Sequence, residues 1–217
     1  MISTYIYYVN PELYSVLSAN WTDHYGPLTL LGRTGMGDIT EKDKELSAAI
    51  LEYYTGSEDT ITEDDFSAVT AMRSDAVFWQ GIDRTVRMLV DQGVQVYQYI
   101  FSYRGQHSCL DAEGVEQGLF GVAHCDEQLY LFDPLYYWDL QGLNENDSNM
   151  RDLLVSFWTN FAKYGNPTPP GSNQSWAPVT TDSWMYFNIS GTEPGMERSQ
   201  EYEDRMKFWS TVMAEST

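Results

Sequence analysis

Residues 121–132 read Gly-Val-Ala-His-Cys-Asp-Glu-Gln-Leu-Tyr-Leu-Phe. The stretch places a single histidine, His124, between a turn of small residues and a run that becomes apolar and aromatic. Gly121 and Ala123 allow the backbone to bend tightly and leave the imidazole ring accessible. From these residues alone, two interpretations of His124 are open: a general base that acts in catalysis, and a histidine with a structural role.

The segment upstream of this histidine loop, residues 94–104, is the strongest β-strand candidate, since β-branched and aromatic residues dominate it. Apolar or aromatic side chains occupy both of its faces, which indicates an internal strand with a neighbour on each edge. Only two other segments have strand character, residues 1–9 and 185–189. The sequence therefore predicts an α/β fold in which part of the central sheet is encoded outside this chain.

Helical patterns dominate the first half of the chain. Thr40 is the predicted N-cap of the clearest helix, and Asp43 completes a capping box with it. Ser74 and Asp75 are interpreted as the cap of a separate helix that begins at Ala76. Residues 20–37 are expected to form a loop-rich connection. The predicted helices cover residues 12–19, 41–55, a segment that follows Thr62, and residues 76–92.

Two further helices are predicted in the second half, which makes the chain mostly helical. The first covers residues 148–164, begins at the cap Ser148 and ends before Gly165. The second covers residues 198–214 and is amphipathic. The predicted buried stripe of the first consists of Leu153, Leu154, Phe157, Trp158 and Phe161.

Composition excludes several classes of partner. The chain has 217 residues, 42% of them hydrophobic and 15% aromatic, which is enough for one packed domain. Its formal net charge of −20 repels phosphate backbones and anionic lipid, so we expect neither nucleic acid nor a membrane surface as partner. No apolar run approaches the ~20 residues that span a bilayer. Residues 1–20 lack the pattern of a signal peptide; because the sequons described next indicate secretion, we expect that the start of the gene product lies further upstream.

Cysteines and glycosylation sequons bear on the compartment. The two cysteines, Cys109 and Cys125, flank one loop, and both a local disulfide and two free thiols are open. Four Asn-x-Ser/Thr sequons occur, which is more than chance supplies and indicates a secreted glycoprotein. The candidate glycosylation sites are Asn20, Asn146, Asn173 and Asn188.

Four short motifs share the order and spacing of one known family. They read VYQY with SYRG, GVAHCDE, FWTNFAKYGNP, and WAPV with YFNI, over residues 94–190. Each motif is weak alone, but together they resemble the C-terminal part of the type-B carboxylesterases, which include cholinesterases and insect juvenile-hormone esterases. The likeness includes the helical residues that precede them and so covers nearly the whole chain, more loosely before residue 60.

The resemblance implies an α/β-hydrolase fold in which His124 is the general base of a catalytic triad. It would deprotonate a serine that attacks a small-molecule carboxylic ester. In that family, the acidic pair at the position of Asp126 and Glu127 surrounds the catalytic residues without reacting, and the resemblance implies the same for this pair. From the residues alone, the same pair is expected to be solvated at a helix N-terminus, where the helix dipole favours it.

The other two members of such a triad are not recognisable in the sequence. No Gly-x-Ser-x-Gly motif occurs, and the pair Glu113-Gly114 lies between the strand and His124 rather than upstream of the strand. We therefore expect residues 1–217 to be the C-terminal portion of a single carboxylesterase domain, inactive without its missing N-terminal portion. Residues 1–93 would form a helical insertion region. Residues 94–217 would carry the last core strand, the histidine loop and the C-terminal helices.

A rival interpretation is a non-catalytic, cholinesterase-like adhesion or binding module. The intact motif around His124 favours the enzyme. Cys125 is disfavoured as a nucleophile, because adjacent residues in a turn usually point apart. The three histidines are scattered and no metal-binding spacing occurs, so neither a metal nor a cofactor is expected.

Overall fold

The computed structural model of the chain describes residues 12–109, 121–132, 143–191 and 193–216. The strand candidate at residues 1–9 lies outside the described residues. The chain divides into two compact units, Met1–Arg87 with Gln200–Thr217 and Met88–Ser199.

The α-helices and β-strands follow one another in chain order. Before the first strand come α1 (Glu12–Ala19), α2 (Gly26–Leu30), α3 (Glu41–Thr55), α4 (Phe66–Ser74) and α5 (Gln80–Asp91). After them come β1 (Tyr99–Phe101), α6 (Gln128–Leu131), α7 (Glu145–Tyr164), β2 (Tyr186–Ile189), β3 (Gly195–Glu197) and α8 (Gln200–Glu215). Short π-helical turns cover Trp21–Tyr25 and Asp75–Trp79, and 3₁₀ turns cover Met36–Asp38 and Glu63–Asp65.

In the first unit, α3 confirms the predicted helix and its capping box. The Asp43 amide donates to the Thr40 hydroxyl at 3.2 Å, and the Thr40 amide donates to the Asp43 carboxylate at 2.9 Å. Gly56 ends the helix at a φ of +78°, which a glycine adopts without steric cost. The apolar face of α3 is buried in the core of the unit, with Ile50 and Leu51 fully covered.

The expected loop at residues 20–37 was only partly correct, because it contains two helical turns and α2. Trp21 explains why this segment folds. Its side chain is buried, and its indole N–H donates to the Ser47 carbonyl at 2.8 Å. A side chain added at Gly26 would collide with Ser47, so glycine permits this close approach of the segment to α3.

The prediction that Asp75 caps a separate helix was wrong. Helical structure runs without a break from α4 through the π-helical turn into α5, and Ser74 itself has helical dihedrals. Asp75 is 1% exposed and sits inside this long helix. Its carboxylate accepts from the Tyr54 hydroxyl at 2.5 Å and lies 2.9 Å from Nε of Arg205 on α8. Because Tyr54 and Arg205 supply the partners of the Asp75 carboxylate, the backbone amides of a helix N-terminus are not required to stabilise it.

The second unit contains a three-stranded sheet in the order β1-β2-β3. β1 and β2 are parallel, with Tyr99 opposite Phe187, and β2 and β3 are antiparallel. Of the strand predicted at residues 94–104, only Tyr99–Phe101 forms regular β-structure. Its backbone is nonetheless engaged beyond β1, since Val96 accepts from the Val179 amide at 2.8 Å and Ser102 donates to Ile189 at 3.1 Å.

Aromatic side chains fill the space between this sheet and α7. Trp176 stacks on Phe187 with ring centroids 4.9 Å apart, and Phe157 meets both rings edge-on. The predicted stripe of α7 is correct at Leu154 and Phe157, which are buried. It was wrong at Phe161, which is 51% exposed because it lies beside Tyr97 at the margin of this core.

The start of α7 also differs from the prediction. The helix begins at Glu145, and Asn144 rather than Ser148 is its N-cap. The Asn144 side chain accepts from the Asp147 amide at 2.9 Å. Asp147, inside the first turn of the helix, is completely buried. Among the described helices, none is both long and apolar enough to cross a bilayer.

Candidate functional site

His124 lies in a turn between the segment that follows β1 and the short helix α6. Residues 124–127 form this turn, and the His124 side chain is exposed. Ala123 before it is buried. The turn leads directly into α6, because the Gln128 amide donates to the Cys125 carbonyl at 3.0 Å. The accessible ring inferred from the small flanking residues is thus present in the structure.

A buried carboxylate holds this turn in place. Asp126 is 2% exposed. Its carboxylate accepts from the Ala123 amide at 2.8 Å, the Cys109 amide at 2.7 Å and the Ser108 hydroxyl at 2.9 Å. The expectation of a solvated Asp126 was therefore wrong. The carboxylate is stable in the interior because three donors replace its hydration.

These hydrogen bonds join two segments that are separate in sequence. Ser108 and Cys109 belong to the chain that follows β1, whereas Ala123 immediately precedes His124. Asp126 therefore fixes the backbone beside His124 to the segment that follows β1. Sequence reasoning missed Ser108, and nothing in the local pattern of residues marks it, because its partner lies 18 residues further along the chain.

Cys125, next to His124, has a backbone φ of +75°. It is the one residue other than glycine with a positive φ in the described part of the chain. A side chain in this left-handed region costs free energy, and such residues persist where surrounding contacts impose the conformation. Here the neighbouring Asp126, with its buried hydrogen bonds, supplies those contacts. The backbone beside the candidate catalytic histidine is therefore held in one geometry.

Both cysteines are free thiols in the structure. Burial, followed by the neighbouring Asp126 carboxylate, raises the pKa of Cys109 to about 12. Burial, followed by the charge of Glu127, also raises the pKa of Cys125. Because a thiolate is the reactive form of cysteine, both thiols are poor nucleophiles near neutral pH. The interpretation of Cys125 as a nucleophile loses support on this ground as well.

Glu127 occupies the last position of the turn before α6 and is half-buried. Its carbonyl accepts from the Tyr130 amide at 3.2 Å. Tyr99 of β1 is close enough to be affected by the Glu127 carboxylate. Burial raises the pKa of Tyr99 to about 12, and the negative charge of Glu127 raises it further. The two acidic residues thus differ in role. Asp126 holds the turn in place by hydrogen bonds, whereas Glu127 contributes a negative charge near Tyr99 of β1.

The four sequons occupy different environments. Asn146, in the first turn of α7, and Asn173, in a loop, are exposed. Asn20 is half-buried and donates to the Val16 carbonyl at 2.9 Å. Asn188 lies within β2, where its amide donates to the Glu197 carboxylate at 2.9 Å. Two of the four side chains are therefore readily accessible in the folded chain.

No metal site is found in the part of the chain that the structure describes, since no three His, Cys, Asp or Glu side chains converge there. His107, His24 and His124 belong to separate segments. The His24 ring hydrogen-bonds to the Asp23 carbonyl at 2.5 Å.

The sequence profile of the carboxylesterase family matches residues 18–209. The chain belongs to the carboxylesterase family. It is 36% identical to a juvenile hormone esterase of Tribolium castaneum, over 92% of this chain and 37% of that protein. It is 24% identical to a carboxylic ester hydrolase of Bombus ignitus, over 94% of this chain and 36% of that protein.

The fold of this carboxylesterase-family chain also has a solved counterpart. The crystal structure of a juvenile hormone esterase from Manduca sexta, with OTFP covalently attached, superposes with a TM-score of 0.68 at 21% identity. The match covers 94% of this chain and 37% of that chain. The chain therefore has the fold of part of an α/β-hydrolase, as the sequence predicted, and spans little more than a third of the length of these relatives.

Proposed function

We propose that this chain supplies the general base, His124, of a serine carboxylic ester hydrolase. One observation carries the proposal: an exposed histidine, next to a residue with a left-handed backbone, is held against the segment that follows β1 by the buried Asp126. Membership of the carboxylesterase family supports an ester as substrate. A fixed, accessible imidazole is what a base needs to reach a hydroxyl group.

The chemistry assigned to His124 has four proton transfers. The imidazole removes the proton of a serine hydroxyl while the serine oxygen attacks the carbonyl carbon of the ester. The resulting imidazolium then donates this proton to the departing alcohol. In the second half of the reaction, His124 removes a proton from the water that attacks the acyl-enzyme, and returns it to the serine. The turn must therefore keep the ring at one distance from the serine throughout.

The serine and the orienting acid come, in this proposal, from the N-terminal portion of the same domain. The sequence contains no Gly-x-Ser-x-Gly motif, and the relatives are almost three times as long as the matched region. Residues 1–217 would then be inactive alone. Secretion and glycosylation of the complete protein belong to the same proposal, and the sequons support them.

A chimera tests this function. The upstream part of the Tribolium castaneum juvenile hormone esterase, up to the start of the matched region, is joined to this chain and assayed with p-nitrophenyl acetate. We expect turnover by the chimera and none by residues 1–217 alone. In the chimera, His124→Gln should lower kcat by about 10³-fold or more. His24→Gln, a matched change at another histidine, should leave kcat unchanged.

Two results would contradict the proposal. One is an active chimera whose kcat survives His124→Gln. The other is turnover by the isolated chain that His124→Gln abolishes, which would show that the nucleophile lies within these 217 residues. A natural upstream sequence with another residue in place of the serine would instead favour the rival function, a non-catalytic binding module.

A further inference from the structure

A second buried carboxylate lies close to the histidine turn. Asp147, in the first turn of α7, has no exposed surface. Its Oδ1 accepts from the Tyr103 hydroxyl at 2.7 Å and from the Tyr130 hydroxyl at 3.4 Å. The Gln106 amide approaches both of its oxygens at 3.4 Å. One side chain of α7 therefore gathers donors from the segment after β1 and from α6.

Tyr103 occupies a slot that two glycines create. A Cβ atom added at Gly105 would lie 2.9 Å from the Tyr103 ring and would also collide with Asp147 and the Tyr130 hydroxyl. A Cβ atom added at Gly191 would lie 2.5 Å from the same ring. The absence of side chains at both positions lets the ring enter and its hydroxyl reach the carboxylate. This packing makes the position of Tyr103 specific rather than adjustable.

Tyr130 connects this cluster to His124. It lies on α6, whose first turn begins within the histidine turn, and it is 3% exposed. Its ring stands 5.7 Å from that of Tyr103 and 5.9 Å from that of Phe101 on β1. Because α6 has only four residues, a shift of Tyr130 moves the whole helix and with it the turn that carries His124.

Both tyrosines keep their protons and act as donors. Burial, with the charge of Asp147 as a further cause, raises the pKa of Tyr103 and of Tyr130 above the ordinary range. Their hydroxyl groups are consequently hydrogen-bond donors to the Asp147 side chain.

We propose that Asp147 is a positioning residue for His124. Its carboxylate accepts hydrogen bonds from both Tyr103, which follows β1, and Tyr130, which follows the histidine turn. Asp147 thereby sets the distance between the end of β1 and that turn. Asp126 holds the turn from within, whereas Asp147 holds the helix that follows it. This inference rests on the proposed function, because it assigns to Asp147 a role in the catalysis by His124.

The test uses the chimera with Asp147→Asn, Tyr130→Phe, and both changes together. We expect Asp147→Asn to lower kcat about tenfold, since a small displacement of a catalytic group is costly, while KM changes by less than about twofold. Tyr130→Phe should lower kcat in the same direction. The double variant should be no worse than Asp147→Asn alone, because both changes break one connection.

A matched control separates positioning from general destabilisation. Asp43→Asn removes another buried carboxylate, which binds Arg33 in the other unit, and should leave kcat unchanged. Hydrogen exchange supplies a readout that needs no activity. In Asp147→Asn, the amides of residues 121–132 should exchange about fivefold faster, while those of residues 40–47 keep their rates.

The outcomes are distinct. Unchanged kcat in both single variants, strictly additive losses, or an equal loss in Asp43→Asn would overturn the role of Asp147. If the parent chimera is inactive, the proposed function fails, but hydrogen exchange still decides the structural claim. Unaltered exchange at residues 121–132 in Asp147→Asn would then refute it.

Discussion

Single aspartates decide much of this structure. Asp43, Asp75, Asp126 and Asp147 are each no more than 2% exposed, although the chain is strongly acidic. Burying a carboxylate is costly unless donors or cations surround it, so each of these side chains fixes the groups around it. Two of them lie beside the histidine turn. Their positions therefore bear on the proposed function as well as on stability.

Asp43 makes stability depend on pH. The Arg33 guanidinium, which donates to Oδ1 at 2.6 Å, lowers the pKa of Asp43 to about 2 from its ordinary value of 3.8, and the Thr40 hydrogen bonds act in the same sense. The folded state thus releases this proton more readily than the unfolded state. Its contribution, on the order of 2 kcal/mol, is present above about pH 4 and is lost as the pH falls towards 2.

Urea unfolding of the wild type and Asp43→Asn measures this contribution. The difference in unfolding free energy should be largest near pH 7 and should shrink by about pH 2.5. Asp182→Asn, a change at an exposed aspartate, is the control and should differ little from the wild type at either pH. A difference for Asp43→Asn that stays constant over this range would contradict the assignment.

At the scale of elements, local signals succeeded where the partners of a residue are near in sequence. The capping box of α3 joins residues three positions apart and was predicted. The continuous helix through Asp75 was not, because the side chain that stabilises Asp75 inside it comes from α8. The cap of α7 is an exception: it is local, but Asn144 and Ser148 can both act as N-caps, and the Asn144 side chain is the one that accepts from the Asp147 amide.

The continuity of α4 and α5 can be tested with proline. Ala76→Pro would be tolerated if a separate helix began at Ala76, since proline suits the first helical position. In a continuous helix, it should lower the unfolding free energy by about 3 kcal/mol. Glu41→Pro is the matched control, because Glu41 is the first residue of α3 and should cost little. Equal effects of the two changes in urea unfolding would argue against continuity.

At the scale of the whole molecule, the proposed secretion predicts glycans at those sequons that are exposed on the surface. Asn173 is exposed in a loop, whereas the Asn188 amide is engaged with Glu197 inside the sheet. We predict that the protein secreted from insect cells carries a glycan at Asn173 and none at Asn188. Peptide mapping before and after glycosidase treatment measures occupancy, with Asn173→Gln as the control. A glycan at Asn188, or an unoccupied Asn173, would contradict this prediction.

The sequence by itself determined the helix α3 with its caps, the accessible histidine turn and the family, because these depend on residues that are close together or on motifs in order. Only the tertiary structure decided which groups the buried carboxylates bind. Asp126 binds Ser108 across 18 positions, and Asp147 binds Tyr103 across 44. Such pairs leave no periodic pattern in the chain, since their donors become neighbours only when the strand, the turn and α7 pack together.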